Sequence, residues 1–219
     1  MKNLVLFFFL LCSLTACKYQ SLNEMLKEVA EQQVDTTGYV RRVVYTEAFT
    51  SVAVNCFSDI TYHQIAPGEQ PYVILRAPQQ VLEHMECVVV DDECLRLELT
   101  PPYRQPESVA FVIDIYAPII DKFTLNGGKC LRLGKVHRDI PLNIELNGSG
   151  AILCESMVAP DVVAELNGAG HIDLQNIRVN SIQAHINGVG NIVLSGQARK
   201  TSLQVNGEGN IDTNSLTKI

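Results

Sequence analysis

Between residues 119 and 216, apolar and polar positions return in the same order five times. Aligned on Asn126, Asn147, Asn167, Asn187 and Asn206, successive copies lie 21, 20, 20 and 19 residues apart. One position before the Asn stand Leu125, Leu146, Leu166, Ile186 and Val205, and three before stand Phe123, Ile144, Ala164, Ala184 and Leu203. Five after stand Leu131, Ile152, Ile172, Ile192 and Ile211. Position +7 holds Leu133, Cys154, Leu174, Leu194 and Thr213, and position +10 holds Val136, Met157, Ile177, Gln197 and Leu216. Side chains alternate along a strand, so −3 and −1 share one face and +5 and +7 share one face of the next strand. Each copy reads as strand, corner, strand, longer corner. A unit this short cannot bury an apolar face alone, whereas stacked copies can, each adding a rung in parallel register. The pattern predicts an all-β chain: a single-stranded β-helix, or β-solenoid, with about 20 residues per coil.

The corner is written Asn-Gly-x-Gly, with the second glycine at Gly150, Gly170, Gly190 and Gly209 and replaced by Lys129 in the first copy. An isolated Asn-Gly is a hairpin signal. Its return at a fixed interval points instead to one backbone shape repeated on every rung. Asn and Gly both tolerate positive φ, so a positive-φ corner is expected. Equivalent Asn side chains would then stack, each amide bonding the next. Position +4 (Cys130, Ala151, His171, Asn191, Asn210) is expected to face outward as a small, polar column, with His171 and His185 solvated.

Upstream the period is looser. "SVAVNCFSDITYHQ" places Val52 and Val54 before Asn55, and Ile60 and Tyr62 after it, as in a degenerate copy. "PQQVLEHM" reads as a brief helical turn, and "ECVVVDDECLRLELT" as two strands about an acidic turn. Before Gly38 the spacing turns helical: Leu22, Met25, Leu26, Val29 and Ala30 share a stripe, and Ser21 with Glu24 forms a capping box. This divides the chain into residues 1–16, a tether 17–38 with a short amphipathic helix, and a β-helix domain 39–219.

Residues 1–16 have the order of a secretory signal: Lys2, an apolar run Leu4–Leu11, then small residues. The ending "LTAC" resembles the lipobox of bacterial lipoproteins, in which cleavage precedes a cysteine that is then acylated. That resemblance makes Cys17 the lipid attachment site and a membrane the partner of the anchor. The chain carries a net charge of −7, and loss of Lys2 with the signal makes it one unit more acidic. With no basic run, nucleic acid is excluded as a partner. Downstream of Cys17, Cys56, Cys87, Cys94, Cys130 and Cys154 match no metal-site spacing. They are expected to be free thiols, with Cys87 and Cys94 diagonal rather than opposite in their hairpin.

The "FTSVAV" opening, "LRAPQQVLEHMECVVVDDECLRLEL", "IYAP" and the recurring "NGxGxI" together resemble the bacterial "putative auto-transporter adhesin, head GIN domain" family over about residues 40–215. Members typically carry Ser-Gly-Ser-Gly where this chain has Asn-Gly-x-Gly, so its corner is a variant. The resemblance implies a single-stranded β-helix on a lipoprotein of Bacteroidetes-type bacteria, with an adhesin-like role and no catalytic or ligand residues to carry over.

Candidate chemistry is sparse. No Gly-x-Gly-x-x-Gly follows a strand and opens a helix, and there is neither a Walker lysine nor a Gly-x-Ser-x-Gly elbow. No cofactor or metal is implied, and Val193 separates Asp173 from Asp212 in their column. The expected function is a non-enzymatic cell-envelope module at the outer membrane, facing the periplasm or the surface, that binds a protein or polysaccharide ligand. Its working surface is expected on 119–216, where Ser149, Ala169, Val189 and Glu208 vary at one outward position. A polysaccharide-degrading β-helix enzyme and a purely structural envelope module are the alternatives. The last rung has no evident cap, which points to self-association.

Overall fold

The computed structural model describes residues 32–90 and 93–219. Most of the tether helix and all of the signal, Cys17 included, lie outside the described residues. The chain is a β-solenoid whose rungs belong to one hydrogen-bonded network. In chain order the elements are β1 (Tyr39–Tyr45), β2 (Ser51–Val54), β3 (Ser58–Gln64), β4 (Tyr72–Pro78), the single turn α1 (Gln79–Leu82), β5 (Met85–Val90), β6 (Cys94–Leu99) and β7 (Phe111–Ala117). They continue with β8 (Lys122–Leu125), β9 (Lys129–His137), β10 (Leu142–Leu146), β11 (Ser149–Leu166), β12 (Ala169–Ile186), β13 (Val189–Val205) and β14 (Glu208–Lys218).

Each coil contributes a stretch to each of two walls. One wall runs β3, β9, the first halves of β11, β12 and β13, then β14. The other runs β2, β8, β10 and the second halves of β11, β12 and β13. All these pairings are parallel and keep the Asn alignment: Ile152 pairs with Ile172 and Ile172 with Ile192. The degenerate copy is a true coil, because Val52 and Val54 pair with Phe123 and Leu125, and Ile60 and Tyr62 with Leu131 and Leu133. Residues 65–121 extend both walls beyond it. β7 lies parallel on β3 and β6 on β2, and the antiparallel strands β4, β1 and β5 complete that end. Antiparallel closure reverses the chain without adding another coil. Val81 and Leu82 of α1 are buried against the same core.

Between the walls lies one apolar column system. Ile60, Phe111, Phe123, Leu125, Ile152, Ile172 and Ile192 are completely buried. Phe123 meets Tyr62 edge-on at a centroid distance of 5.1 Å, and the Tyr62 hydroxyl donates to the Ala117 carbonyl at 3.0 Å. Burying each such side chain contributes about 1.5–3 kcal/mol, so the repeated rung is self-supporting only as a stack.

Three expectations are corrected. The corner glycines are not required by positive φ: of them only Gly190 lies in that region, at +141°. Gly127, Gly148, Gly168, Gly188 and Gly207 are required by close approach instead. A Cβ on any of them would sit 2.0–2.1 Å from a carbonyl oxygen of the preceding rung. Lys129, in place of a glycine, adopts φ 76°. Position +10 of the fourth copy is Gly196, not Gln197. That copy is one residue short, so the register shifts after Leu194 and Ile177 pairs with Gly196. Finally, Leu203 and Val205 occupy core columns but are 44% and 43% exposed, because no further rung of the described residues lies over them.

Candidate binding face

Two features stand out on the surface, a line of amides at the corner and a line of rings on one wall. At the corner, Asn126, Asn147, Asn167, Asn187 and Asn206 come together as one ladder, and Asn55 joins it. Each Nδ2 donates to the Oδ1 of the Asn one rung earlier: Asn126 to Asn55 at 2.7 Å, Asn147 to Asn126 at 2.8 Å, Asn167 to Asn147 at 2.9 Å, Asn187 to Asn167 at 2.8 Å and Asn206 to Asn187 at 2.9 Å. The ladder is anchored at its acceptor end, where Asn55 Nδ2 donates to Glu98 Oε2 at 3.0 Å. Gln204 Nε2 donates to Asn206 Oδ1 at 3.1 Å at the other end. Each backbone N–H of these Asn residues also donates to the carbonyl of the residue just before the Asn one rung earlier, as Asn167 N does to Leu146 O at 2.9 Å. With both groups engaged along the stack, the ladder is structural. Beside it Ser149, Ala169, Val189 and Glu208 are exposed.

The rings lie on the N-terminal rungs. Register pairs His63 with Tyr116, Tyr116 with Tyr72, and Tyr72 with Tyr45 across neighbouring strands. His63 and Tyr116 stack at 4.4 Å and 13°, Tyr116 and Tyr72 at 4.4 Å and 9°, and Tyr45 tilts by 45° at 5.8 Å. Tyr45 closes the row and is well exposed. Beneath the row Asp114 accepts from Arg76 Nη1 at 2.5 Å and pairs with His63 Nε2 at 3.0 Å. Partial burial, then the Asp114 charge, raises the Tyr116 phenol above its usual range and keeps it a hydrogen-bond donor. No spacing in the sequence links these residues, because their strands pair in the order β1, β4, β7, β3 rather than along the chain. Tyr72 and Tyr116 each stand as the only tyrosine in their strands, and they form a row only once that pairing is known.

Farther along the same wall the outward column +4 departs from its expectation. Cys130, Ala151, His171 and Asn191 are buried, and only Asn210 is exposed. His171 is therefore no solvated surface histidine, while His185 is partly exposed and lies 3.9 Å from Glu165. Asp59, also buried, is held by Arg132 and by Lys129 at 3.7 Å.

The reactive groups are muted. All five described cysteines are free, and Cys87 pairs across its hairpin with Leu97 rather than Cys94. Burial pushes the thiols of Cys56 and Cys154 up to about 12 and that of Cys87 to about 11, which keeps these three protonated near neutral pH. Glu155 and Asp173 both line a shallow depression of about 320 Å³. Asp173 is buried and accepts from Gln175 Nε2 at 2.9 Å. Among the described residues no group of three His, Cys, Asp or Glu is placed to hold a metal ion, and no helix is long and apolar enough to cross a membrane.

The chain can now be set beside known proteins. A family model described as "Putative auto-transporter adhesin, head GIN domain" matches residues 48–218. A "Putative lipid binding protein" from Parabacteroides distasonis ATCC 8503 has a TM-score of 0.73 at 15% identity, covering 82% of this chain and 75% of its own. A "putative adhesin" from Bacteroides fragilis NCTC 9343 has a TM-score of 0.55 at 19% identity, covering 80% and 96%. At these identities the likeness shows the fold alone. No curated protein matches. With the matched segment spanning every rung of the solenoid, the chain belongs to the family described as "Putative auto-transporter adhesin, head GIN domain".

Proposed function

We propose that the protein is a non-enzymatic binding module of the cell envelope, anchored through acyl chains on Cys17, whose head engages a polysaccharide or an extended protein segment. The observation that carries this reading is the row His63, Tyr116, Tyr72 and Tyr45 on a rigid wall. The inner rings stack on one another and present edges and hydroxyls. Tyr45 offers an open ring face at one end of the row, and His63 at the other end and Arg76, both paired with Asp114, add polar groups. Rings held in place by neighbours lose little freedom on binding, and aromatic anchors dominate binding energetics. A polymer of sugars presents both C–H faces for a ring and hydroxyls for the polar groups. The small exposed side chains Ser149, Ala169 and Val189 offer less contact area than this row. Membership of a family described as adhesins supports the same reading.

Glycan arrays and matrix-protein panels test it. Tyr72→Ala and Tyr116→Ala should each weaken any binding found by about tenfold or more. Val189→Lys should leave it unchanged. Hydrolysis of a polysaccharide in the same screen overturns the non-enzymatic reading. For the anchor, Cys17→Ser should move the protein from the membrane to the soluble fraction, and an unchanged partition removes that part.

A further inference from the structure

The long corner that follows position +10 carries charge opposite to that of the whole chain. The protein has a net charge of −7, yet Arg138, Arg178 and Arg199, from three different coils, line one depression of about 350 Å³ there. That volume lies at the lower end of small-ligand sites, about 300–1,000 Å³. Asp139 is the one carboxylate side chain among its lining residues. Register explains the convergence. His137 pairs with Val158, so Arg138 stands at the head of the column that continues as Ala159, Val179 and Ala198. Short side chains in this column give the depression its floor at Ala159 and Val179. Arg178 comes just before Val179 and Arg199 just after Ala198. Alternation turns both outward on opposite sides of the floor, one rung or about 5 Å apart along the stack. Both are exposed, and among the described residues neither makes an ion pair. Ile219, whose N–H donates to the Ala198 carbonyl at 3.2 Å, lines the far end.

Arg138 is the unusual member. It lines the depression but is only 5% exposed. Its Nε donates to the Ile140 carbonyl at 2.9 Å, while its Nη2 is buried with no hydrogen-bond partner. Among the described residues no carboxylate pairs with it. Burial lowers its pKa, and Asp121 opposes that from beyond ion-pair range. A buried guanidinium is costly unless its charge and its donors are met. An anion in the depression supplies acceptors that the chain itself does not. Lys200 extends the positive face beside Arg199, and Asp161, the nearby carboxylate, is already engaged by the Ser181 hydroxyl at 2.5 Å.

We propose that this corner is a binding site for a phosphate monoester borne on a sugar, with Arg178 and Arg199 clamping the group from either side and Arg138 meeting it at the head of the floor. A carboxylate is planar and is satisfied by a single guanidinium fork, whereas three guanidiniums from three directions match the three terminal oxygens of a monoester. The exposed side chains of Asn180 and Asp139 at the rim offer an amide and an acceptor to sugar hydroxyls. A recessed site takes one such group at a time. An anionic bilayer or a nucleic acid presents many, and a chain of net charge −7 is repelled by both. The site lies apart from the ring row and does not depend on it.

Calorimetric titration of the full chain in mild detergent, at fixed ionic strength, tests it. Glucose 6-phosphate should bind, inorganic phosphate should bind more weakly, and glucose should not bind. Arg178→Gln and Arg199→Gln should each weaken glucose 6-phosphate by about tenfold or more, since each removes a charge-assisted fork. Both side chains are exposed, so these variants keep the fold, whereas Arg138→Gln disturbs a buried position. Lys135→Gln removes the same charge from an exposed site on the Arg138 coil outside the depression, and should leave binding unchanged. No binding of either phosphate at millimolar concentration overturns the proposal. An equal loss in Lys135→Gln also overturns it, because a diffuse field would then suffice. So does attachment to phosphatidylglycerol vesicles through Arg178 and Arg199 without binding of glucose 6-phosphate, which would assign the corner to a lipid surface.

Discussion

Asn55 donates its side-chain amide to the carboxylate of Glu98 at 3.0 Å, and through that bond a chain of six stacked amides ends on a charge. Glu98 occupies the Asn site of the rung before Asn55, since β6 pairs with β2 and Leu97 lies opposite Val54. All six amides point the same way, so each polarises the next and the anion sits at the end where their N–H groups aim. Replacing Asn147 by Ala removes two links and should cost about 1–2 kcal/mol, limited because the freed groups face water. Glu98→Gln keeps a link but removes the charge, and should cost less. Denaturant melts of the two variants check this order, and equal losses would show that the charge adds nothing.

The glycine column makes a sharper contrast. A Cβ at Gly168 would lie 2.1 Å from the Gly148 carbonyl oxygen, so Gly168→Ala must push two rungs apart. It should destabilise by about 2 kcal/mol or more, as overpacking does. At Gly134 a Cβ meets nothing within 4 Å, and Gly134→Ala should be neutral or gain up to about 1 kcal/mol by restricting the unfolded chain. Paired thermal melts decide it.

Position within the stack should set the cost of removing a core side chain. Ile172 is fully buried between two rungs, and Ile172→Ala should lose about 2–5 kcal/mol. Leu203 belongs to an equivalent column at the open end and is 44% exposed, so Leu203→Ala should lose under about 1 kcal/mol. The same open end, with unpaired edges on β13 and β14, would carry any end-to-end association. Leu203→Lys should then lower the mass seen by light scattering, and a strict monomer at high concentration removes the idea.

Alkaline pH should weaken the fold through its thiols. Cys56 and Cys154 titrate near 12 when folded against a reference of 9.0, and Cys87 near 11, because burial penalises the thiolate. The unfolded chain therefore loses these protons first. Their contribution is complete below pH 9 and is lost as pH rises from there toward 12. The melting midpoint should fall between pH 8 and pH 10.5, and Cys56→Ala should flatten that fall at the expense of a small cavity. An unchanged slope would show that other groups govern it.

The period of the second half was readable from Asn126 onward because every rung meets the same environment and so repeats the same answer. Val52, Val54, Asn55, Ile60 and Tyr62 matched the same pattern without its glycine, and the structure makes them a coil. His63, Tyr72 and Tyr116 carried no such signal. The strands bearing them pair out of chain order, and a row of rings exists only after that pairing. The +4 column misled for a related reason. Small and polar side chains are what a solvated face would carry, yet Cys130, Ala151, His171 and Asn191 are buried.

The sequence by itself determined that the chain is a solenoid, where each rung begins, and which columns fill its core, since alternation and a 20-residue period leave one way to bury those side chains. Tertiary structure decided which surfaces are free. It showed that the corner glycines answer to the carbonyl of the neighbouring rung rather than to their own φ, and that Leu203 ends in water while Ala164 in the same column does not. It also showed that Ala151 is dry although it points outward. Each depends on what lies beside a residue in space, and for stacked rungs that neighbour is a whole coil or more away along the chain.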